Sequence, residues 1–162
     1  MSQMKKTLST DEAFQRLSAR CAVAECAPLD LLRKMEGWGL DEESRLAVLQ
    51  RLKEQGYVNE QRYASAYVRD KFNYAGWGRM KIMQGLRGKG FSPSECDRAW
   101  QEINEEDYRK SLIRLLISKS KSIKARSAFE RKAKLARFAF GRGFEQWLVM
   151  ESLEELLQDD SI

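Results

Sequence analysis

The chain contains no histidine, three cysteines and two prolines among 162 residues. Without histidine there is no Ser-His or Cys-His nucleophile pair and no histidine-bearing metal site. Cys21, Cys26 and Cys96 form an odd set without CxxC spacing, which suits reduced thiols better than a disulfide or a zinc centre. No GxxxxGK[ST] phosphate loop occurs. The acidic pairs Glu42/Glu43 and Glu105/Glu106 fall at expected helix starts, where carboxylates complement the helix dipole rather than act as acid and base. Nothing in the chain supports an enzyme, a metal site or a cofactor. Apolar runs stay far below the roughly 18 residues of a membrane span, and MSQMKKTLSTDEAF lacks the apolar stretch of a signal peptide, so a cytoplasmic location is expected.

What the chain does have is an echo. Gly-x-Gly followed by a large apolar residue occurs at Gly37–Leu40, Gly88–Phe91 and Gly141–Phe144, at intervals of 51 and 53 residues. With these in register, Leu31-Leu32, Ile82-Met83 and Leu135-Ala136 coincide upstream, while Leu49, Trp100 and Leu153 coincide downstream. Apolar spacings of i, i+1, i+4 before the glycines and i, i+3 after them each mark one face of an α-helix. Gly-x-Gly is therefore expected to be the corner of a helix pair, with the first glycine in the left-handed conformation that ends the leading helix. A phosphate-cradling role is the functional rival, disfavoured because no strand precedes any copy.

A further helix precedes each pair. Ser9-Thr10-Asp11-Glu12 has a capped start and leads a helix through about Glu25, Asn59 caps a helix from Glu60 to about Tyr74, and Asn104 opens another. Pro28 and Pro93 suit the first turns of helices two and six. The fold class is all-α: three tandem three-helix repeats, about nine helices, over residues 1–58, 59–104 and 105–162. Units stacked on sequential neighbours make an elongated, curved body.

The overall charge of +5 conceals segregation. Residues 1–60 carry a net −1, residues 61–144 a net +12, and residues 145–162 a net −6. From Arg109 to Arg142 twelve basic residues face the single acid Glu130. Such a block attracts a polyanion or an acidic protein surface. At 100° per residue Lys81 points away from the Ile82, Met83 and Leu86 face, so Lys81, Arg87 and Lys89, with Arg79 beside them, are expected on one accessible surface. In the third repeat Arg131, Lys134 and Phe138 share a face by i, i+3, i+7 spacing, opposite Phe129, Ala133, Ala136 and Phe140. These seven residues (Arg79, Lys81, Arg87, Lys89, Arg131, Lys134 and Phe138) are the candidate partner-binding set.

Two stretches, GYVNEQRYASAYVRDK (56–71) and GWGRMKIMQGLRGKGFS (76–92), resemble the signature of the RecX regulatory proteins. KAKLARFAFGRGFEQWLVMESL resembles that family's Lys-rich, Arg-Gly-Phe C-terminal repeat. Val58 stands where Leu is usual, and Trp38 replaces the usual basic residue before the first-repeat glycine. The resemblance implies a monomeric, non-enzymatic modulator of the RecA recombinase. Such a protein binds RecA nucleoprotein filaments along their groove and suppresses ATP hydrolysis, strand exchange and co-protease activity. The alternative is a direct single-stranded nucleic-acid-binding helical module, in which Tyr74, Trp77, Phe129 and Phe138 stack bases among the cations. A scaffold or adaptor is the default role of any helical repeat.

Overall fold

The computed structural model describes residues 7–162. The first six residues of the stretch read above for a signal peptide, and of the first repeat, lie outside them. Among the described residues there are nine α-helices and no strand: α1 (Thr10–Val23), α2 (Pro28–Gly37), α3 (Glu42–Glu54), α4 (Glu60–Asn73), α5 (Arg79–Gly88), α6 (Pro93–Trp100), α7 (Glu105–Ser120), α8 (Ala128–Gly141) and α9 (Gln146–Gln158). Their starts follow the capping chemistry. Ser9, Asp41, Asn59, Asn104 and Ser127 each accept a backbone N–H of the first turn, and Ser92 with Glu95 closes a reciprocal capping box. Pro28 and Pro93 occupy first turns, where a missing N–H costs nothing. Helix α1 stops at Val23, two residues before the expected end.

The three corners are built alike, but on the second glycine. Gly39, Gly90 and Gly143 have φ of 85°, 91° and 93°, whereas Gly37, Gly88 and Gly141 are the last helical residues and meet no neighbour. The expectation of a left-handed first glycine is therefore corrected by one two-residue step. The hydrogen bonds give the reason. Leu40, Phe91 and Phe144 donate their N–H to Met35, Leu86 and Ala139 at 3.2 Å, and Gly39, Gly90 and Gly143 donate to Glu36, Arg87 and Phe140 at 3.0 Å. This is the Schellman closure, whose left-handed residue lies one place beyond the cap and whose next residue folds back onto the core. Accordingly Leu40, Phe91 and Phe144 are buried.

Helices α1–α3, α4–α6 and α7–α9 pack as triplets. The first triplet has its own core, around Phe14, Leu17, Leu31, Met35, Val48 and Leu52. The second and third share one, in which Val68, Ile82 and Leu86 continue into Leu112, Leu116, Leu135 and Leu153. Tyr108 of α7 joins them: its ring lies edge-on to Trp100 at 4.9 Å and stacks on Phe144 at 5.3 Å.

The start of α5 has no side-chain cap because its N-cap is Gly78. The third triplet supplies the acceptors instead. Gly78 N–H donates to the Arg142 carbonyl at 2.7 Å, Met80 N–H to Gly143 at 2.9 Å, and Arg79 N–H to the Tyr108 hydroxyl at 2.9 Å. The backbones approach so closely that a Cβ on Gly78 would lie 2.4 Å from the Phe144 nitrogen. In the same way Leu29, at the start of α2, packs on the second corner at Gly90, where Lys89 pairs with Asp30 at 2.7 Å.

Candidate partner-binding surface

On α4, Tyr63, Tyr67 and Lys71 recur every fourth residue and so share a face. The two rings are 6.1 Å apart, and the Lys71 ammonium lies 5.4 Å from the Tyr67 ring. The tight connection through Gly76, at φ 67°, lets Trp77 N–H donate to the Lys71 carbonyl at 3.0 Å and folds the indole back beside α4. Lys71 then sits 4.7 Å from the Trp77 ring on one side of the contact and Lys81 of α5 sits 4.5 Å from it. The third corner continues the line. The Arg142 guanidinium donates to the Ala75 carbonyl at 3.2 Å and lies 5.2 Å from the Phe138 ring, which also carries Lys119 at 4.7 Å.

The result is a track, Lys71–Trp77–Lys81–Arg142–Phe138–Lys119, crossing from the second triplet to the third. Among the described residues none of its four cations has a carboxylate within salt-bridge distance. Aromatic faces stabilise these charges without neutralising them, so their attraction for an external anion is undiminished.

The seven expected residues do not converge. Helix α5 divides its cations between two edges. Arg79 and Arg87, with Met83 between them, line a groove beside α9, and Arg79 is held 3.4 Å from Asp97. Lys81, Gly85 and Lys89 form the other edge, beside Tyr67, whose hydroxyl occupies the space a Gly85 side chain would need. Lys89 belongs to the joint with α2: the Asp30 hydrogen bond raises its pKa, against a smaller effect of burial. Thus Lys81, Arg87 and Lys89 do not form the single surface expected of them.

Arg131 and Lys134 secure the α7–α8 connection, donating to the carbonyls of Ser120 and Lys124 at 2.6 Å each. Glu130 is held below its ordinary pKa by the Arg126 N–H and then by Lys134. Phe138 is half-buried beside the core stripe Leu135, Ala136 and Ala139, while Phe129, Ala133 and Phe140 are exposed. The expected orientation of α8 is thereby corrected. At 100° per residue Phe138 lies about 60° from Leu135, whereas Ala133 lies about 160° away. Lys71, Lys119 and Arg142 were absent from the expected set. The signals for them were the i+4 step from Tyr67 to Lys71 and the arginine inside the third Gly-x-Gly.

No cluster of three or more His, Cys, Asp or Glu residues suited to a metal occurs among the described residues. The Cys21 and Cys96 thiols are not activated: burial, and then Cys26, push Cys21 up to about 12, and burial raises Cys96. No helix among the described residues is long and apolar enough to cross a membrane.

Comparison with known proteins agrees with this architecture. Residues 59–99 match the family model "RecX, second three-helix domain". The regulatory protein RecX of Bacillus mycoides (strain KBAB4) is 30% identical over 128 residues, 78% of this chain and 46% of the relative. That of Clostridium acetobutylicum is 27% identical over 118 residues, 70% of this chain and 54% of the relative. That of Amycolatopsis mediterranei (strain U-32) is 27% identical over 149 residues, 90% of this chain and 81% of the relative. The chain thus spans about half the length of the Bacillus and Clostridium proteins. The crystal structure of RecX from Lactobacillus salivarius superposes with a TM-score of 0.82 at 16% identity, covering 91% of this chain and 96% of that one. A second RecX crystal structure gives 0.81 at 23% identity, covering 90% and 73%. These two establish the shared helical-repeat fold, and the matched second domain together with the sequence relatives places the chain in the RecX family of regulatory proteins.

Proposed function

We propose that this chain is a non-enzymatic, monomeric, cytoplasmic regulator that restrains a RecA recombinase by lying against RecA–DNA filaments. The repeats bounded at residues 58 and 104 set its length along the partner. The observation that carries this reading is the track of four carboxylate-free cations interleaved with Trp77 and Phe138, which suits a polyanionic filament. Of the seven expected contact residues, Lys81 and Phe138 face the filament directly. Arg79, Lys89, Arg131 and Lys134 hold the neighbouring helix, the joint and the loop in place, and Arg87 lies on the opposite edge of α5.

The aromatic interleaving also supports the alternative, a module that binds single-stranded nucleic acid by itself, since rings beside cations stack bases and neutralise phosphates. One titration separates the two. Binding is measured to single-stranded DNA alone and to the same DNA coated with RecA and a nucleotide triphosphate, across salt. Filament recognition predicts tight binding only with RecA present, lost in Lys71→Glu/Lys81→Glu. Equal affinity for bare DNA, with log K falling about 0.7 per phosphate contact against log salt, replaces it with the module.

A further inference from the structure

The opposite edge of α5 carries a second surface, and its chemistry differs. A groove of about 840 Å³ runs between α5 and the start of α9, lined by Met80, Met83, Trp147, Arg79 and Arg87. Met80 is 60% exposed and Trp147 is 61% exposed. The repeat itself explains neither. In the shared register Trp147 stands where the first two repeats carry Glu43 and Ser94, so that position ordinarily faces water. Met80 is the counterpart of Leu29, which is half-buried against the second corner, yet Met80 remains uncovered.

The charges around the groove are unevenly committed. Asp97 pairs with Arg79, and Glu145 accepts the Tyr108 hydroxyl. Arg109 lies 5.7 Å from the Trp147 ring and pairs with Glu151. Arg87 has no acidic partner among the described residues. Both carboxylates of the groove are therefore already engaged, Glu145 by the Tyr108 hydroxyl and the exposed Asp97 by Arg79, and one guanidinium at its end is left to a ligand.

We infer that this groove binds an amphipathic helical segment of a partner protein, with apolar side chains seated on Met80, Met83 and Trp147 and a carboxylate at Arg87. From Met80 to Arg87 the wall is about 10 Å long, two turns of a bound helix, which is the usual span of such anchors. Methionine walls adapt to the apolar residue offered, and a tryptophan at the rim supplies the large rigid contact. This surface is separate from the polyanion track and does not depend on it.

The test uses two synthetic helical peptides with the same leucine stripe, one flanked by glutamate and one by lysine. The glutamate peptide is expected to shift the tryptophan emission of the intact protein, and the Trp147→Ser variant, which restores the residue of the second repeat, should abolish that shift with helicity unchanged. The lysine peptide should bind at least about tenfold more weakly, and Arg87→Glu should reverse that order. Equal affinity of the parent and Trp147→Ser, or of the two peptides, overturns the inference. So does failure of the glutamate peptide to bind at about 1 mM. If the protein instead self-associates in sedimentation and Trp147→Ser makes it monomeric, the occupant is a second copy and the foreign segment is wrong.

Discussion

The Arg79 backbone N–H donates to the Tyr108 hydroxyl at 2.9 Å, so that a side chain of the third triplet caps a helix of the second. The same hydroxyl donates to Glu145, the N-cap residue of α9, whose side chain makes no capping bond to that helix. Burial first, and then Glu145, push the phenol far above its usual range, with Arg79 opposing them. The phenol therefore keeps its proton through the neutral range, so the one hydroxyl can donate to Glu145 while it accepts from Arg79.

Tyr108→Phe keeps the stack on Trp100 and Phe144 but leaves the Arg79 N–H without an acceptor. A loss of about 1–3 kcal/mol is expected, the cost of an unpaired buried donor. Urea unfolding checks it, and an unchanged midpoint with an unchanged slope contradicts the capping role.

The two glycines of one corner should respond in opposite ways. Gly88 ends α5 with open space around it, so Gly88→Ala is expected to be neutral or to stabilise by up to about 1 kcal/mol. Gly143 has φ of 93° and a Cβ there would fall 2.6 Å from the Lys81 nitrogen. Gly143→Ala should cost well over ~1 kcal/mol, since the strain of a left-handed residue adds to a backbone clash. Thermal melts of the pair decide the matter. Equal melting temperatures remove the distinction drawn here between the first and second glycine.

Phe138 is half-buried and lies beside Lys119 and Arg142. Phe138→Ala should cost about 1–2 kcal/mol, below the 3–5 of a fully buried phenylalanine. It should also weaken binding to the filament, because the two cations lose the ring that positions them. Stability and filament binding measured on the same variant separate these effects. A variant that binds normally leaves Phe138 with a packing role alone.

Asp41 caps α3, where the Ser44 hydroxyl and then the Ser44 N–H hold its carboxyl below the ordinary value of 3.8. With the folded pKa depressed, this stabilisation is complete above the unfolded value and disappears as the pH falls through the lower folded one. Asp41→Asn keeps a cap but cannot titrate. The gap in stability between parent and variant should therefore change between pH 7 and pH 3 and be constant between pH 6 and pH 8. A gap that varies in the neutral range, or is flat down to pH 3, refutes this linkage.

The repeat was legible because each corner must bury one apolar residue after a glycine, which leaves a fixed-period mark at Leu40, Phe91 and Phe144. Caps at Ser9, Asn59 and Asn104 were legible for a similar reason: short-range bonds depend on neighbours in the sequence. What was not legible came from contacts between triplets. Lys89 reads as a surface cation until Asp30, 59 residues away, is placed beside it. Arg131 and Lys134 read as contact residues until the α7–α8 connection folds back over them. The orientation of α8 was misjudged because its first turn, with Phe129, extends beyond the core and shifts the apparent apolar stripe.

The two separate cores have a mechanical consequence. The second and third triplets share buried side chains and backbone hydrogen bonds, so they should exchange amide hydrogens as one cooperative block. The first triplet meets that block through Leu29, Ala27 and the Asp30–Lys89, Glu25–Arg62 and Lys53–Glu60 pairs, beside an open cleft of about 360 Å³ lined by Val58, Phe91 and Arg98. Six helices thus share one core while three keep their own, and partly exposed ion pairs join the two bodies at the α3–α4 seam. All four cations of the track lie on the six-helix block, so their spacing is set by one core and does not depend on the first triplet.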